Sequence, residues 1–141
     1  MGQTVTAYLC CDGAAEAIAF YTKAFGAKER YRIPMEGGRI GHAELEIGGS
    51  VIYLSDEWPE GGVYSPKTVG RATASFVLDV DDVDAAWQRA VDAGATVERP
   101  VKDEPYGRGG WLFDPFGHRW NIQQPKADFD PASMAAEAVS S

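Results

Sequence analysis

AIAFYTKAFGA at residues 17–27 and AAWQRAVDAGA at residues 85–95 are the stretches that decide the fold. Each is an apolar helical stripe stopped by a glycine, Gly26 in the first and Gly94 in the second, and the two stops lie 68 residues apart. The turn glycine Gly49 has its counterpart at Gly117, at the same offset. One supersecondary unit is therefore present twice. A unit this small cannot cover its own apolar sheet face, so the copies must pack or pair, and the seam between them is the natural place for a cleft.

The flanks of each stripe alternate with period two, which predicts strands around the helices. Residues 3–11 put Val5, Ala7, Leu9 and Cys11 on one face and Thr6, Tyr8 and Cys10 on the other. Asp12 is the expected cap of the first helix, where Ala14, Ala17, Ile18, Tyr21 and Phe25 share a face. Residues 28–35, 39–47 and 50–55 read as three further strands, joined by Glu36-Gly37-Gly38 and by Gly48-Gly49. This completes a β-α-β-β-β module at residues 1–56. Residues 57–72, rich in Pro and Gly, read as a linker or flap. The module then recurs at residues 73–124, with strands at 75–80, 96–98, 109–114 and 118–123, a loop at 100–108, and a helix capped by Asp82. Residues 125–141 form a C-terminal tail in which Asp130-Pro131 can open a short helix. The fold class is α+β.

The bulk composition narrows the function. The chain has 141 residues, 45% hydrophobic and 24% charged, which is ordinary for one globular domain. Thirteen basic against twenty-one acidic side chains give a net charge of −8, which argues against nucleic acid or an anionic membrane as partner. No basic leader and no apolar run of about 20 residues is visible, so a cytoplasmic location is expected. Cys10 and Cys11 are adjacent, which suits neither a zinc knuckle nor a disulfide framework, and reduced thiols are expected.

Four segments together carry a resemblance: YLCCDGAAEAIAFYTKAFGA, HAELEIGGSVIYLSDE, FVLDVDDVDAAWQRAVDAGA and DPFGHRWNIQQ, spanning residues 4–124 in this order. The chain resembles the vicinal oxygen chelate superfamily, which includes glyoxalase I, bleomycin-resistance proteins and extradiol dioxygenases, and looks closest to a glyoxalase-like subgroup without an assigned reaction. The resemblance implies paired modules whose curled mixed sheets surround a cleft, helices outside, often in a homodimer. Metal-dependent relatives hold a divalent ion with a His or Glu from the first and last strand of each module. Here those positions fall on Thr6, Tyr53, Ser75 and Asn121. Neutral hydroxyls and an amide do not replace imidazole or carboxylate at about 2.0–2.3 Å from such an ion, so no metal and no other cofactor is expected.

Other residues then carry the expectations about the site. In GHAELEIGG, His42, Glu44 and Glu46 share one face, opposite Ala43, Leu45 and Ile47. This trio is either the wetted side of a strand or a catalytic pair in which Glu44 acts as base or orienting anion beside His42. Thr6, Tyr8, Tyr53, Ser75, Arg119, Asn121 and Trp58 are the expected ligand-binding residues. Arg119 either clamps an anionic ligand or serves as a surface ion-pair partner. Trp58, on the flap, either closes over a ligand or is buried in a dimer seam. His118 lies off the cleft parity and is expected to pack, while Trp87, Trp111 and Trp120 are expected on the helix-packed face. DPFGHRW is turn chemistry, and no glycine pair opens a helix as a nucleotide loop would, which excludes a methyltransferase of that kind. The expected function is a binding protein of the bleomycin-resistance kind for a small organic molecule. The alternative is a lyase, isomerase or dioxygenase-like enzyme using Glu44 and His42 or an atypical metal site.

Overall fold

The computed structural model describes residues 2–134, and residues 135–141 of the expected tail helix lie outside them. The first module consists of β1 (Tyr8–Cys11), α1 (Ala14–Phe25), β2 (Lys28–Pro34), β3 (Ile40–Ile47) and β4 (Ser50–Asp56). The second consists of β5 (Ser75–Asp79), α3 (Val83–Ala93), β6 (Thr96–Glu104), β7 (Gly107–Phe113) and β8 (Arg119–Pro125). Between them, a 3₁₀ turn at Pro59–Gly61 and the short helix α2 (Pro66–Val69) give the flap a shape of its own. The strands form two four-stranded mixed sheets, ordered β1-β4-β3-β2 and β5-β8-β7-β6. In both, the first strand pairs in parallel with the last and the other neighbours are antiparallel. The repeated topology makes the α+β fold.

Both helices start and stop for identifiable reasons. Gly26 ends α1 at φ 67°, a left-handed conformation that glycine adopts without a Cβ penalty. Asp82 caps α3 by accepting from the Ala85 N–H at 3.2 Å. Asp12 does not cap α1. The start of that helix is held by Asp56 of β4, whose Oδ1 accepts from the N–H groups of Gly13 and Ala14 at 3.1 and 2.9 Å. Its Oδ2 accepts from the Ile40 N–H at 2.7 Å, so a single carboxylate ties together the end of β4, the start of α1 and the start of β3.

The second sheet departs from the sequence reading in two places. Residues 100–104 belong to β6 and not to a loop, because an edge strand tolerates Pro100 at an irregularity between Arg99 and Lys102. Trp111 lies directly opposite Asn121 in the β7–β8 ladder, so it faces away from the helices, with Leu112 taking the core position.

A single apolar core joins the modules. Leu9, Leu45 and Leu54 from the first sheet and Leu112, Trp120 and Ile122 from the second are buried with Ile18, Phe20 and Tyr21 of α1. Burial of an Ile18 or Phe20 side chain contributes about 1.5–3 kcal/mol. The α1 helix reaches across to the second sheet, with the Phe25 and Trp120 ring centres 4.8 Å apart. Tyr21 donates its hydroxyl to the buried carboxylate of Asp114, which also accepts from Trp120 Nε1 and from the N–H groups of Phe116 and His118. DPFGHRW thus builds a turn and anchors the two modules to each other. With the helices covering one face of each sheet, the opposite faces remain accessible, as the exposure of Tyr31 and Ile33 on one and Val77 on the other shows.

Candidate functional site

The accessible face of the first sheet and the flap enclose a cavity of about 660 Å³, lined among others by Tyr8, Ile33, Met35, Arg39, His42 and Trp58. Its position follows from strand parity: Leu9 and Cys11 point to the core, so Tyr8 and Cys10 point to the cavity. On β3, Ala43 and Leu45 are fully buried, which turns His42 and Glu44 to the same side. The β2–β3 ladder then sets Tyr31 opposite Glu44 and Ile33 opposite His42. Across β4, Tyr53 lies opposite Glu44, and Tyr53 in turn lies opposite Tyr8 of β1.

These registers bring four polar side chains into one hydrogen-bonded series. His42 Nε2 lies 3.0 Å from Glu44 Oε2, and Tyr31 donates its hydroxyl to the same oxygen at 2.6 Å. Tyr8 Oη lies 2.6 Å from His42 Nδ1. An ionised carboxylate only accepts, so Nε2 carries an imidazole proton, and in the tautomer with that single proton Nδ1 accepts from Tyr8. The hydrogen bonds from His42 and Tyr31 hold the Glu44 carboxyl below its ordinary range, with Arg30, 3.6 Å from Oε1, adding to the effect. Partial burial raises the Tyr8 phenol, opposed by the Ser55 hydroxyl and assisted by the Glu44 charge. Tyr8, His42 and Tyr53 pack edge to face or tilted, with ring centres 5.0–5.6 Å apart.

Trp58 forms part of the cavity wall at the flap, and the Arg39 guanidinium lies over its ring at 4.5 Å from the centre. A stacked guanidinium of this kind still directs donors toward a ligand. Asp56, also on the wall, has its oxygens engaged by the backbone of α1 and β3. Cys10 is on the wall as a thiol whose ionisation is pushed up to about 11, chiefly by burial, with Glu57, Asp56 and Asp12 adding. It is not an activated nucleophile. Burial pushes Cys11 up further still, again with nearby carboxylates adding.

The residues expected from the second module lie elsewhere. Arg119 grips Glu98 through two hydrogen bonds of 2.7 and 3.0 Å, donates to Ser75 Oγ at 3.0 Å, and lies 3.7 Å from the centre of the Trp111 ring. Asn121 donates to the Gly110 carbonyl at 3.0 Å. Ser75, Arg119 and Asn121 therefore have partners within their own sheet, and none of them lines the 660 Å³ cavity. Thr6 precedes β1 and does not line it either. His118 packs: it is buried against Phe76, with Nε2 2.9 Å from the Cys10 carbonyl.

Two cavity residues, Arg39 and Met35, and the Glu44 partner Tyr31 were not singled out in the sequence. The alternation of Tyr31 and Ile33 along β2 with Met35 just past its end was the signal that could have found two of them. The four positions that resemblance assigns to a metal carry Thr6, Tyr53, Ser75 and Asn121, a donor set that does not fit a divalent ion. Among the described residues, no three His, Cys, Asp or Glu side chains are grouped to hold one.

The sequence model of the Glyoxalase/Bleomycin resistance protein/Dioxygenase superfamily matches residues 2–122. The chain belongs to this superfamily. An uncharacterized protein of Mycobacterium bovis is 43% identical to it over 122 residues, which cover 84% of this chain and 80% of that one. A Pseudomonas aeruginosa protein of known structure superposes with a TM-score of 0.72 at 23% identity, covering 88% of this chain and 98% of that one. A variant of the fosfomycin resistance protein FosX from Listeria monocytogenes, solved with Mn(II) and a dihydroxypropylphosphonic acid, superposes with a TM-score of 0.70 at 17% identity, covering 91% and 94% of the two chains. The last two likenesses concern the fold alone. No helix among the described residues is long and apolar enough to cross a membrane.

Proposed function

We propose that this superfamily member binds a small organic molecule in the first-sheet cavity, without a metal ion, and acts as a homodimer. The observation that carries the reading is the cavity itself. Its 660 Å³ fall within the roughly 300–1,000 Å³ of small-molecule sites, and its wall is mostly apolar, with a few polar groups at Tyr8, His42 and Arg39. Ile33, Met35, Trp58 and Val63 offer an apolar surface to a flat or amphipathic body. The guanidinium on Trp58 and the Tyr8 hydroxyl fix its polar end. FosX, a protein of the same fold, was solved with Mn(II), but Thr6, Tyr53, Ser75 and Asn121, at the positions that the resemblance assigns to a metal, favour a cleft that works without an ion.

The dimer rests on the two accessible sheet faces, which expose Tyr31, Ile33 and Val77. Apolar groups repeated over such faces are better covered by a second copy than left in water.

A screen of flat organic compounds by tryptophan fluorescence tests the binding. Binding should change the emission in a way that Trp58→Phe abolishes or strongly reduces, while calorimetric affinity for the same compound falls by about tenfold or less. The affinity should be the same with and without a strong chelator. Affinity lost on chelation and restored by a divalent ion would sink the metal-free reading.

A second reading, an enzyme acting through His42 and Glu44, is favoured by one observation, the short hydrogen bonds that link Tyr8, His42, Glu44 and Tyr31.

A further inference from the structure

We infer that the Tyr8 hydroxyl is the group that takes a proton from an acidic O–H of the molecule bound in the cavity, with His42 receiving the proton of Tyr8 in turn. The inference rests on the proposal that the cavity binds an organic molecule, and it gives Tyr8 the role that the alternative enzyme reading gives to Glu44.

The geometry gives each member of the series a different position. Glu44 is 9% exposed and lines none of the cavity, so a ligand does not reach its carboxylate. Tyr8 is 53% exposed and forms part of the wall, with its hydroxyl proton already directed at His42 Nδ1. With that proton engaged, Tyr8 Oη offers a lone pair to a donor that enters the cavity. A phenol, enol or carboxylic acid in the cavity supplies that donor.

The proton balance is simple. The O–H bond of the ligand breaks and a new O–H bond forms on Tyr8 Oη. The former Tyr8 proton passes to His42 Nδ1, and the imidazolium so formed keeps its Nε2–H on Glu44. The ligand becomes an anion, His42 a cation, and the tyrosine is unchanged. No oxidant or co-reactant is needed. Glu44 is a positioning residue: with Oε2 fixed by Tyr31 at 2.6 Å and Oε1 near Arg30, it holds the imidazole tautomer and stabilises its charge. Arg39, stacked on Trp58 in the same wall, supplies a positive charge for the anion. This sequence of phenol, imidazole and carboxylate follows the logic of an activated hydroxyl generalised to a tyrosine.

The test uses 4-nitrophenol, a flat apolar body with one acidic O–H whose ionised form is coloured. Its binding is followed by calorimetry and its ionisation by absorbance, below the pH at which the free compound ionises. The wild-type protein should hold at least about tenfold more phenolate relative to phenol than free solution does, a ratio equal to one pKa unit. In Tyr8→Phe and His42→Gln the bound probe should lose that excess, with affinity for it weakened by about tenfold or less. In the free protein, nitrogen NMR should show His42 protonated at Nε2, with the Nδ1 resonance shifting in Tyr8→Phe. Equal phenolate fractions in wild type and Tyr8→Phe, or a proton on Nδ1 in the free protein, would overturn the inference and leave the cavity reading standing. A probe that binds none of the proteins would instead overturn the cavity reading, and the inference with it.

Discussion

Glu44 is the carboxylate on which His42, Tyr31 and Arg30 converge. Its folded-state ionisation is lowered by hydrogen bonds from His42 and Tyr31, so the carboxylate contributes stability that is fully present above its unfolded value of about 4.3. That contribution is lost as pH falls through the lowered folded value, because the unfolded chain then binds the proton first. Glu44→Gln removes the titration. The thermal midpoint of the wild type should therefore fall toward that of the variant as pH drops below about 4, and a gap that stays constant down to acid unfolding would contradict the assignment. The alternation of GHAELEIGG was enough to place His42 and Glu44 on one face. The alternation after Lys28 marks the face of Tyr31 but not its partner, because an irregularity between Glu29 and Tyr31 shifts the register by which Tyr31 comes to lie opposite Glu44, and Arg39 meets Trp58 only through the fold of the flap.

At the level of elements, the sequence revealed both helices, their glycine stops and the repeated strand order, since each is a local pattern. Three elements escaped because their determinants are not local. Strand β6 continues through Pro100 as an edge that needs few inward side chains. Gly109 and Gly110 carry no side chains to mark a face, so the parity of Trp111 was misread. The cap of α1 comes from Asp56, 42 residues after Ala14, which no short window contains. That carboxylate accepts three backbone N–H groups from two elements, so Asp56→Ala leaves several of them without a partner. The expected cost is at least the ~1–2 kcal/mol of an ordinary cap, read as a lower denaturant midpoint with an unchanged slope. Asp12→Ala, which removes the residue that sequence reasoning favoured, should cost less than about 0.5 kcal/mol. Equal effects at the two positions would refute this account of the helix start.

For the whole molecule, the open question is how the accessible sheet faces are covered. If two copies cover them, the protein should sediment at twice its 15.2 kDa chain mass, and Ile33→Asp or Val77→Asp should shift it toward the single chain. Both substitutions replace exposed apolar groups, so the single chain should remain folded by circular dichroism. Sedimentation as a single chain at every concentration would end the homodimer proposal. The superfamily fold by itself does not decide this, just as it does not decide chemistry.

The grip of Glu98 on Arg119, with Trp111 beneath and Ser75 beside it, has a practical consequence for redesign. On that face the Arg119 side chain is already committed to Glu98, Ser75 and the Trp111 ring, so a replacement there changes contacts within the sheet rather than a ligand site. The opposite sheet is built the other way, with a stacked guanidinium and a row of apolar side chains that can be exchanged one at a time. A library intended to alter what the scaffold accepts belongs at Met35, Arg39, Trp58 and Val63, with residues 98–121 kept as the fixed frame.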